Sequence, residues 1–375
     1  MNRLLSIIWI FGFLILFFLT SCSSYPKIHA KGNFNGEMIE TTVDSEIARY
    51  YLENYLQGKK DNKNWDEKID VLNQKYGQTI PSREDLVNIS TEFSVDFASL
   101  FLATQLLKDE KNSILNQSFI HYLDNETVFN RDISSYLILF IPGWDYVENG
   151  HLTGADFAQP RKLATTFGFE NRLIDLPPTG SVNENADYLA TEIKKFSNSG
   201  KKILLVGASS AGPAIHLVLS EKLQDEEVAS IKAWLNLGGI LQGSPLIDFL
   251  QERPQRWLFN LVVWFKGWDT EAILSMDKKT SRTRFKRLQI EKNILVINYI
   301  GIPLSGTLSQ YGKDNYSILK PEGPNDGITL ITDVIAPNSL TIVALGNDHF
   351  FAEDRKINEK TIALMKLLIH YLENT

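Results

Sequence analysis

The stretch that decides the fold is Ile203-Leu204-Leu205-Val206-Gly207-Ala208-Ser209-Ser210-Ala211-Gly212-Pro213. Its first four residues form a continuous apolar run, which is typical of a strand buried on both faces of a sheet. Residues 207–212 are all small, and a helical apolar spacing follows them. Small residues are needed where a strand turns sharply into a helix, because the two backbones pass close to each other. The stretch therefore predicts a buried strand, a tight turn that contains Ser209, and a helix.

Similar apolar runs recur from about residue 136 onward and alternate with segments of helical spacing. This alternation is typical of a mostly parallel sheet with helices on both faces, so we expect the α/β class. The runs that predict strands are 136–141, 173–176, 203–206, 233–237, 294–300 and 340–345. The segments that predict helices are 159–167, 183–196, 211–223 and 358–372.

Two further segments extend the predicted α/β body, which we place at 131–375. Helical apolar spacing in 45–57 and 93–107 predicts an N-terminal helical region over 41–130. An insertion at 246–291 interrupts the alternation, and it is rich in aromatic residues. It has two interpretations, a helical lid or an ordinary helical excursion packed on the body. Its aromatic residues include Trp257, Phe259, Trp264, Phe265 and Trp268.

The first 21 residues have the pattern of a signal peptide, with Arg3 before the apolar run 4–18. The run is followed by Leu19-Thr20-Ser21-Cys22, which resembles the lipobox of bacterial lipoproteins and contains the sole cysteine of the chain. The resemblance implies lipid attachment at Cys22, a tether over 22–40, and a location in the cell envelope outside the cytoplasm. An uncleaved membrane anchor is the alternative. With one cysteine, the chain cannot form an internal disulfide.

Composition excludes one class of partner. The formal net charge is −7 and the sequence pI is about 5.5. Binding to nucleic acid needs a basic face to contact the phosphates, and the lysine clusters of this chain are short. We therefore expect no nucleic-acid partner. We also expect no metal or organic cofactor, because no group of His, Asp, Glu or Cys has ligand spacing, and the Walker and Gly-x-Gly-x-x-Gly patterns are missing around Ser209.

The turn at Ser209 resembles the nucleophile elbow of the α/β-hydrolases, whose pattern is Gly-x-Ser-x-Gly. Gly207 matches the first glycine, and Ala211 replaces the second. The resemblance implies that Ser209 is a catalytic nucleophile. Ser210 is the rival, since it also has small neighbours on both sides. Without a nucleophile here, the small residues would serve only close packing of strand and helix.

A serine nucleophile needs a base, and the family order of Ser, acid and His places that base late in the chain. His349 follows the apolar run 340–345, so it lies on a loop at the carboxyl end of a strand, where sites of α/β sheets form. Asp348-His349-Phe350 resembles the catalytic-histidine loop of the family. His216 and His370 lie in predicted helices, for which a structural role suffices.

The acidic residue of the triad must lie on a loop between Ser209 and His349 in the sequence. Pro324-Asn325-Asp326-Gly327-Ile328 resembles the turn that carries the acid in many lipases of this fold, which implies that Asp326 orients His349. An aspartate in an Asn-Asp-Gly sequence also commonly caps its own turn. Asp314 and Asp333 are the alternatives.

Acyl transfer further needs backbone N–H groups directed at the developing oxyanion. Phe140-Ile141-Pro142-Gly143-Trp144 ends the first clear strand where the family has its His-Gly loop, with Pro142 in place of the usual histidine. The resemblance implies that the N–H groups of Trp144 and Ser210 form the oxyanion hole.

Together these residues predict a lipid-tethered serine hydrolase that acts on small ester or lipid substrates through an acyl-enzyme. The alternative is a non-catalytic surface lipoprotein that retains a hydrolase fold for binding or assembly. The substitution at Ala211 favours this alternative. The occurrence of all three triad residue types, in order and on predicted loops, favours the enzyme.

Overall fold

A parallel sheet forms the centre of the protein. The computed structural model describes residues 28–124 and 131–374 of the chain. Within these residues the main sheet has six strands, in the order β4-β3-β5-β6-β7-β8, and every neighbouring pair is parallel. The predicted α/β class is therefore confirmed. The strands, with a separate hairpin as β1 and β2, are β1 Ile28–Phe34, β2 Glu37–Val43, β3 Tyr136–Ile141, β4 Glu170–Leu173, β5 Lys202–Ala208, β6 Ile231–Leu237, β7 Leu295–Ile302 and β8 Leu340–Leu345.

Helices cover both faces of this sheet, because the side chains of each strand alternate between two apolar cores. In β3, for example, Leu139 packs into one core and Phe140 into the other. The helices are α1 Glu46–Glu53, α2 Lys63–Tyr76, α3 Arg83–Glu92, α4 Val95–Lys108, α5 Glu110–Asp124, α6 Tyr146–Thr153, α7 Ala158–Thr166, α8 Val182–Ser197, α9 Ala211–Leu217, α10 Asp225–Val228, α11 Pro245–Gln251, α12 Gln255–Lys266, α13 Thr270–Leu274, α14 Lys278–Arg287, α15 Lys313–Leu319 and α16 Ile357–Asn374. None of the helices in the described ranges is long and apolar enough to span a membrane.

The N-terminal hairpin corrects one expectation. Residues 28–40 are not a tether, because they pair as β1 and β2 and bury Ala30 and Phe34 against the N-terminal helices. The turn between the strands is Asn35-Gly36, with φ angles of 48° and 87°. Positive φ at both residues favours a two-residue hairpin turn, and Asn-Gly is its commonest sequence. The predicted signal peptide, Cys22 and the first part of the predicted tether lie outside the described residues.

The second strand of the sheet also differs from its prediction. The apolar run 173–176 predicts a strand, but β4 is Glu170–Leu173, three residues earlier. The reason is that β4 forms one edge of the sheet, so it needs no continuous apolar run and its residues are only partly covered. Ile174 and Leu176 lie beyond the strand and fill the core beneath α8.

The N-terminal helices share a core with the sheet. Side chains from the hairpin, α1 and α4 pack against Ile300 and Ile302 of β7 and against Val343 and Leu345 of β8. Without this layer, that part of the sheet would expose its apolar face. Helix α5 covers the opposite side, where Leu115 and Phe119 join the core formed by α7 and α16.

Helix α5 also closes the free edge of β8. Asn116 Nδ2 donates to the Thr341 carbonyl over 2.8 Å, and its Oδ1 accepts from Val343 N over 3.1 Å. Asn112 Oδ1 accepts from Thr341 N over 2.8 Å. An open strand edge presents unpaired backbone groups that can pair with another chain. Two buried side-chain amides satisfy those groups here, in place of a further strand.

We expect Asn116→Ala to destabilise the protein by about 1–3 kcal/mol, because it leaves a buried carbonyl and a buried N–H of β8 without a partner. Urea unfolding followed by circular dichroism measures this free energy. Gln117→Ala is the matched control, since Gln117 is exposed on the same helix and its side chain bonds to Ser113 within that helix. Equal stability of the two variants would contradict the edge-closing role of Asn116.

The aromatic insertion lies between β6 and β7 and contains α11 to α14. Its inner side packs on the body, since Ile247, Phe259 and Val263 belong to the same core as β3 and β5. Trp268 also packs against this core, whereas Trp257, Trp264 and Phe265 point away from it and are exposed. The segment is therefore helical and attached, and it carries an outer apolar surface as well.

Candidate active site

Ser209 lies in a strained turn at the carboxyl end of β5. Its φ is 54°, in the left-handed region that costs a non-glycine residue about 1–2 kcal/mol. Three backbone hydrogen bonds hold the turn: Ser209 N donates to the Leu237 carbonyl over 3.1 Å, and Ser209 O accepts from Gly212 N and Ile240 N, each over 3.0 Å. The turn places the Ser209 side chain at the carboxyl end of the sheet, between β5 and β6.

The small residues of the turn have the steric role that the sequence predicts. A Cβ on Gly207 would lie 2.2 Å from Ile215 Cδ1, and one on Gly212 would lie 2.7 Å from the Gly239 Cα. Ala211 is buried, and its methyl lies 3.5 Å from the position of that added Gly207 Cβ, which is ordinary van der Waals contact. Alanine therefore fits where the family pattern has glycine.

The three predicted triad residues meet at this carboxyl end of the sheet. His349 Nε2 lies 3.0 Å from Ser209 Oγ, and His349 Nδ1 lies 2.8 Å from Asp326 Oδ2. A carboxylate only accepts hydrogen bonds, so Nδ1 carries the proton and Nε2 is free to accept from the serine hydroxyl. The loop after β8 is also held through its backbone, since His349 N donates to the Asp326 carbonyl over 2.8 Å.

Asp326 serves both of the roles that its sequence allows. Its Oδ1 caps the turn by accepting from Ile328 N over 2.9 Å and from Thr329 N over 2.8 Å. Its Oδ2 faces the imidazole. Because the turn fixes one oxygen, the second is held in place for His349 with little freedom to rotate away.

The alternative residues occupy other positions. Asp333 is buried and forms ion pairs with Arg83 and Arg282, and Asp314 is exposed on α15. His216 is buried between Trp234 and Phe285. The remaining alternatives are His370, which contacts Tyr122 and Tyr371, and Ser210, which is next to the serine that is hydrogen-bonded to the imidazole, Ser209.

Charges around His349 outweigh its burial. Burial lowers the pKa of the imidazole, but the charge and hydrogen bond of Asp326, together with the charge of Asp348, raise the pKa above its ordinary value. His216 shows the opposite balance, since burial and the nearby Arg284 lower its pKa to about 4. His349 is therefore the histidine whose environment stabilises the protonated form that a general base acquires.

Two neighbours of the imidazole were not predicted. A Cβ on Gly238 would lie 3.5 Å from His349 Nδ1, so the backbone of Gly238 lies directly against the ring, and its φ of 56° is one that favours glycine. The Asp348 carboxylate is buried beside it and accepts from Ser309 N over 2.8 Å and from Phe350 N over 3.0 Å. The first neighbour, Gly238, could have been noticed in the sequence, because the pair Gly238-Gly239 directly follows a strand. The contact with Ser309 depends on a loop 39 residues away and has no local signal.

Asp348→Asn is expected to lower the pKa of His349, because the carboxylate charge that favours the protonated ring is removed. The ring would then stay neutral to a lower pH. NMR titration of the histidine rings measures this shift directly. His216 serves as an internal control, and Glu353→Gln removes an exposed charge from the same loop. A His349 pKa that is unchanged or higher in Asp348→Asn would contradict the electrostatic role.

The predicted oxyanion donors lie on both sides of Ser209. Ser210 follows it at the start of α9, and Trp144 follows Gly143, where an added Cβ would lie 3.3 Å from the Ser209 Cβ. In the part of the chain that the structure describes, neither the Trp144 N–H nor the Ser210 N–H donates to an acceptor. Both donors are therefore open to a ligand next to the hydroxyl.

Solved structures with a similar fold are enzymes that act on esters. A metagenomic carboxyl esterase matches with a TM-score of 0.52 and 16% identity, over 67% of this chain and 79% of the esterase. The mature lipase BlEst2 of Bacillus licheniformis matches with a TM-score of 0.50 and 19% identity, over 65% of this chain and 96% of the lipase. No family model and no curated protein matches the sequence. From its parallel sheet, the turn at Ser209 and these two likenesses, the chain has the α/β-hydrolase fold.

Proposed function

We propose that the protein is a serine hydrolase that cleaves carboxylic esters. The observation that carries the proposal is the chain of contacts from Asp326 through His349 to Ser209 at the strained turn. Hydroxyl, imidazole and carboxylate in this order are the arrangement that activates a serine for attack. The solved esterase and lipase with this fold support the choice of esters.

The reaction follows from the geometry. Ser209 Oγ transfers its proton to His349 Nε2 as it bonds to the ester carbonyl carbon, and the carbonyl oxygen becomes an oxyanion. The N–H groups of Trp144 and Ser210 bind that oxygen. His349 then gives the proton to the departing alkoxide, which leaves an acyl group on Ser209. Water, deprotonated by His349, releases the acid and restores the serine.

A fluorophosphonate probe tests the proposal, because it phosphonylates only a serine that a nearby base activates. We expect modification of Ser209 in the full chain, located by peptide mass spectrometry. Ser209→Ala should take no label, and Ser210→Ala should keep it, since alanine retains the backbone N–H. Absence of label on a folded wild-type protein would overturn the proposal and favour the non-catalytic lipoprotein.

We further propose that Cys22 anchors the mature protein to a bacterial membrane through acyl chains. The lipobox pattern at 19–22 supports this, and each buried CH2 group of an acyl chain contributes about 0.8 kcal/mol to membrane binding. Cys22→Ala should abolish incorporation of a radiolabelled fatty acid and leave the precursor uncleaved, because the chain has no other thiol. Labelling that persists in the variant would contradict the anchor.

A further inference from the structure

Helix α12 presents the main apolar surface of the molecule. Fourteen large hydrophobic side chains are exposed among the described residues, and six of them lie on this one helix. We call these six the outer face of α12. Trp257, Trp264 and Phe265 are 73%, 77% and 81% exposed. The complete outer face consists of Trp257, Leu258, Leu261, Val262, Trp264 and Phe265.

The outer face is one continuous strip. At about 100° per residue, its six side chains share an arc of about 160° around the helix. Phe259 and Val263 lie on the opposite side, and they are the two residues of α12 that are buried in the core of the body. An apolar ridge of this size on the outside of a folded domain marks an interaction surface, because exposing it to water is unfavourable.

Charge indicates what covers the ridge. Helix α12 contains no acidic residue, although the chain as a whole has a net charge of −7. Its two charged residues, Arg256 and Lys266, fall at about 260° and 180° when Trp257 is placed at 0°, beside the seam that attaches the helix to the body. Arg256 is exposed, and Lys266 remains 40% exposed while it pairs with Glu148 over 2.9 Å. Arg253 adds an exposed positive charge just before the helix, and the exposed carboxylates nearby, Glu252 and Asp269, lie in the chain before and after the helix and not on it.

Aromatic and aliphatic side chains on one face, with cations at its sides, are the pattern of a helix that lies in a bilayer interface and binds anionic headgroups. The geometry points to a lipid surface with anionic headgroups as the occupant of the outer face. A fluid bilayer accommodates a convex ridge without a matching groove. A protein partner would have to supply one.

The docked helix lies next to the candidate active site. Trp268, just after α12, contacts Trp144 with a ring separation of 6.0 Å and nearly perpendicular rings. Glu148, the partner of Lys266, lies on α6, which begins two residues after Trp144. A lipid surface bound to α12 would therefore lie beside the loop that carries an oxyanion donor. This part of the inference, delivery of lipid esters to Ser209, rests on the proposed function.

The test measures vesicle binding, which does not require catalysis. A chain that starts at residue 23, and so lacks both the apolar run 4–18 and the proposed lipid at Cys22, carries Ser209→Ala and is mixed with phosphatidylcholine vesicles that contain phosphatidylglycerol. The bound fraction is determined by sedimentation. Adding Trp257→Ser, Trp264→Ser and Phe265→Ser should weaken binding about a hundredfold or more, since each removes a large buried apolar group. The matched control replaces Met38, Val71 and Ile114, which are similarly exposed on the N-terminal layer, by serine.

Further measurements make the outcomes separable. Brominated lipid should quench tryptophan fluorescence, and Trp257→Phe with Trp264→Phe should remove most of that quenching. Arg253→Gln with Arg256→Gln should weaken binding to vesicles with phosphatidylglycerol.

Equal binding of the two serine triple variants would overturn the inference. So would a wild-type dimer in sedimentation that the α12 variant abolishes without a change in vesicle binding, since a second copy would then be the occupant. A folded protein that binds vesicles through α12 but takes no fluorophosphonate label would leave the docking surface intact and reject only the proposed function.

Discussion

Ser209→Ala and His349→Ala are each expected to lower kcat on a soluble ester by at least about two to three orders of magnitude. The double variant should be little worse than either single one, because the hydroxyl and the imidazole act as one unit over their 3.0 Å contact. Once either is removed, the other has no reaction to assist. Steady-state hydrolysis of p-nitrophenyl esters measures all three variants.

Ser210→Ala is the matched control for this series. It removes a hydroxyl one residue away and retains the N–H assigned to the oxyanion hole, so kcat should change far less than in Ser209→Ala. Circular dichroism must show that each variant is folded, since the strained turn is sensitive to substitution. Turnover that survives in Ser209→Ala but is lost in Ser210→Ala would show that the nucleophile lies one residue later.

Asp326→Asn should lower kcat by about three to four orders of magnitude, although asparagine has the same shape. The amide carries no charge to stabilise the imidazolium. If its nitrogen faces the ring, it also donates to Nδ1, which then becomes the acceptor and moves the ring proton to Nε2. In that tautomer the imidazole cannot accept the proton of Ser209. The pKa of His349 should fall as well, because the Asp326 charge and hydrogen bond raise it in the native protein.

Asp314→Asn is the control for the acid. This carboxylate lies between Ser209 and His349 in the sequence, as Asp326 does, but it is exposed on α15. Its replacement should leave kcat and the pKa of His349 at their wild-type values. Asp333→Asn is less suitable, because it would leave Arg83 and Arg282 without their buried partner. A nearly silent Asp326→Asn would mean that the imidazole is oriented by another group.

The sequence alone determined the class of the fold and the position of the turn at Ser209. Both are local properties, since a strand buried on two faces must be continuously apolar and a strand-to-helix turn must be made of small residues. The strands 136–141 and 340–345 were predicted with the bounds that the structure has. The edge strand β4 was displaced, because an edge strand lacks the continuous apolar run on which the prediction relied.

The candidate site likewise has parts that the sequence predicted and parts that only the structure revealed. Residue type, chain order and loop position singled out Ser209, Asp326 and His349, and the Asn-Gly pair of the N-terminal hairpin was a local signal that the tether interpretation overlooked. Chain order alone left Asp314 and Asp333 open as alternatives to Asp326, and the tertiary structure shows that Asp326 is the aspartate that faces the imidazole. It also decided that Asn116 closes the edge of β8 and that α12 turns six apolar side chains outward. These contacts join segments that are distant in the chain, or they depend on which face of a helix packs against the body. Neither property can be predicted from the residues of a single segment.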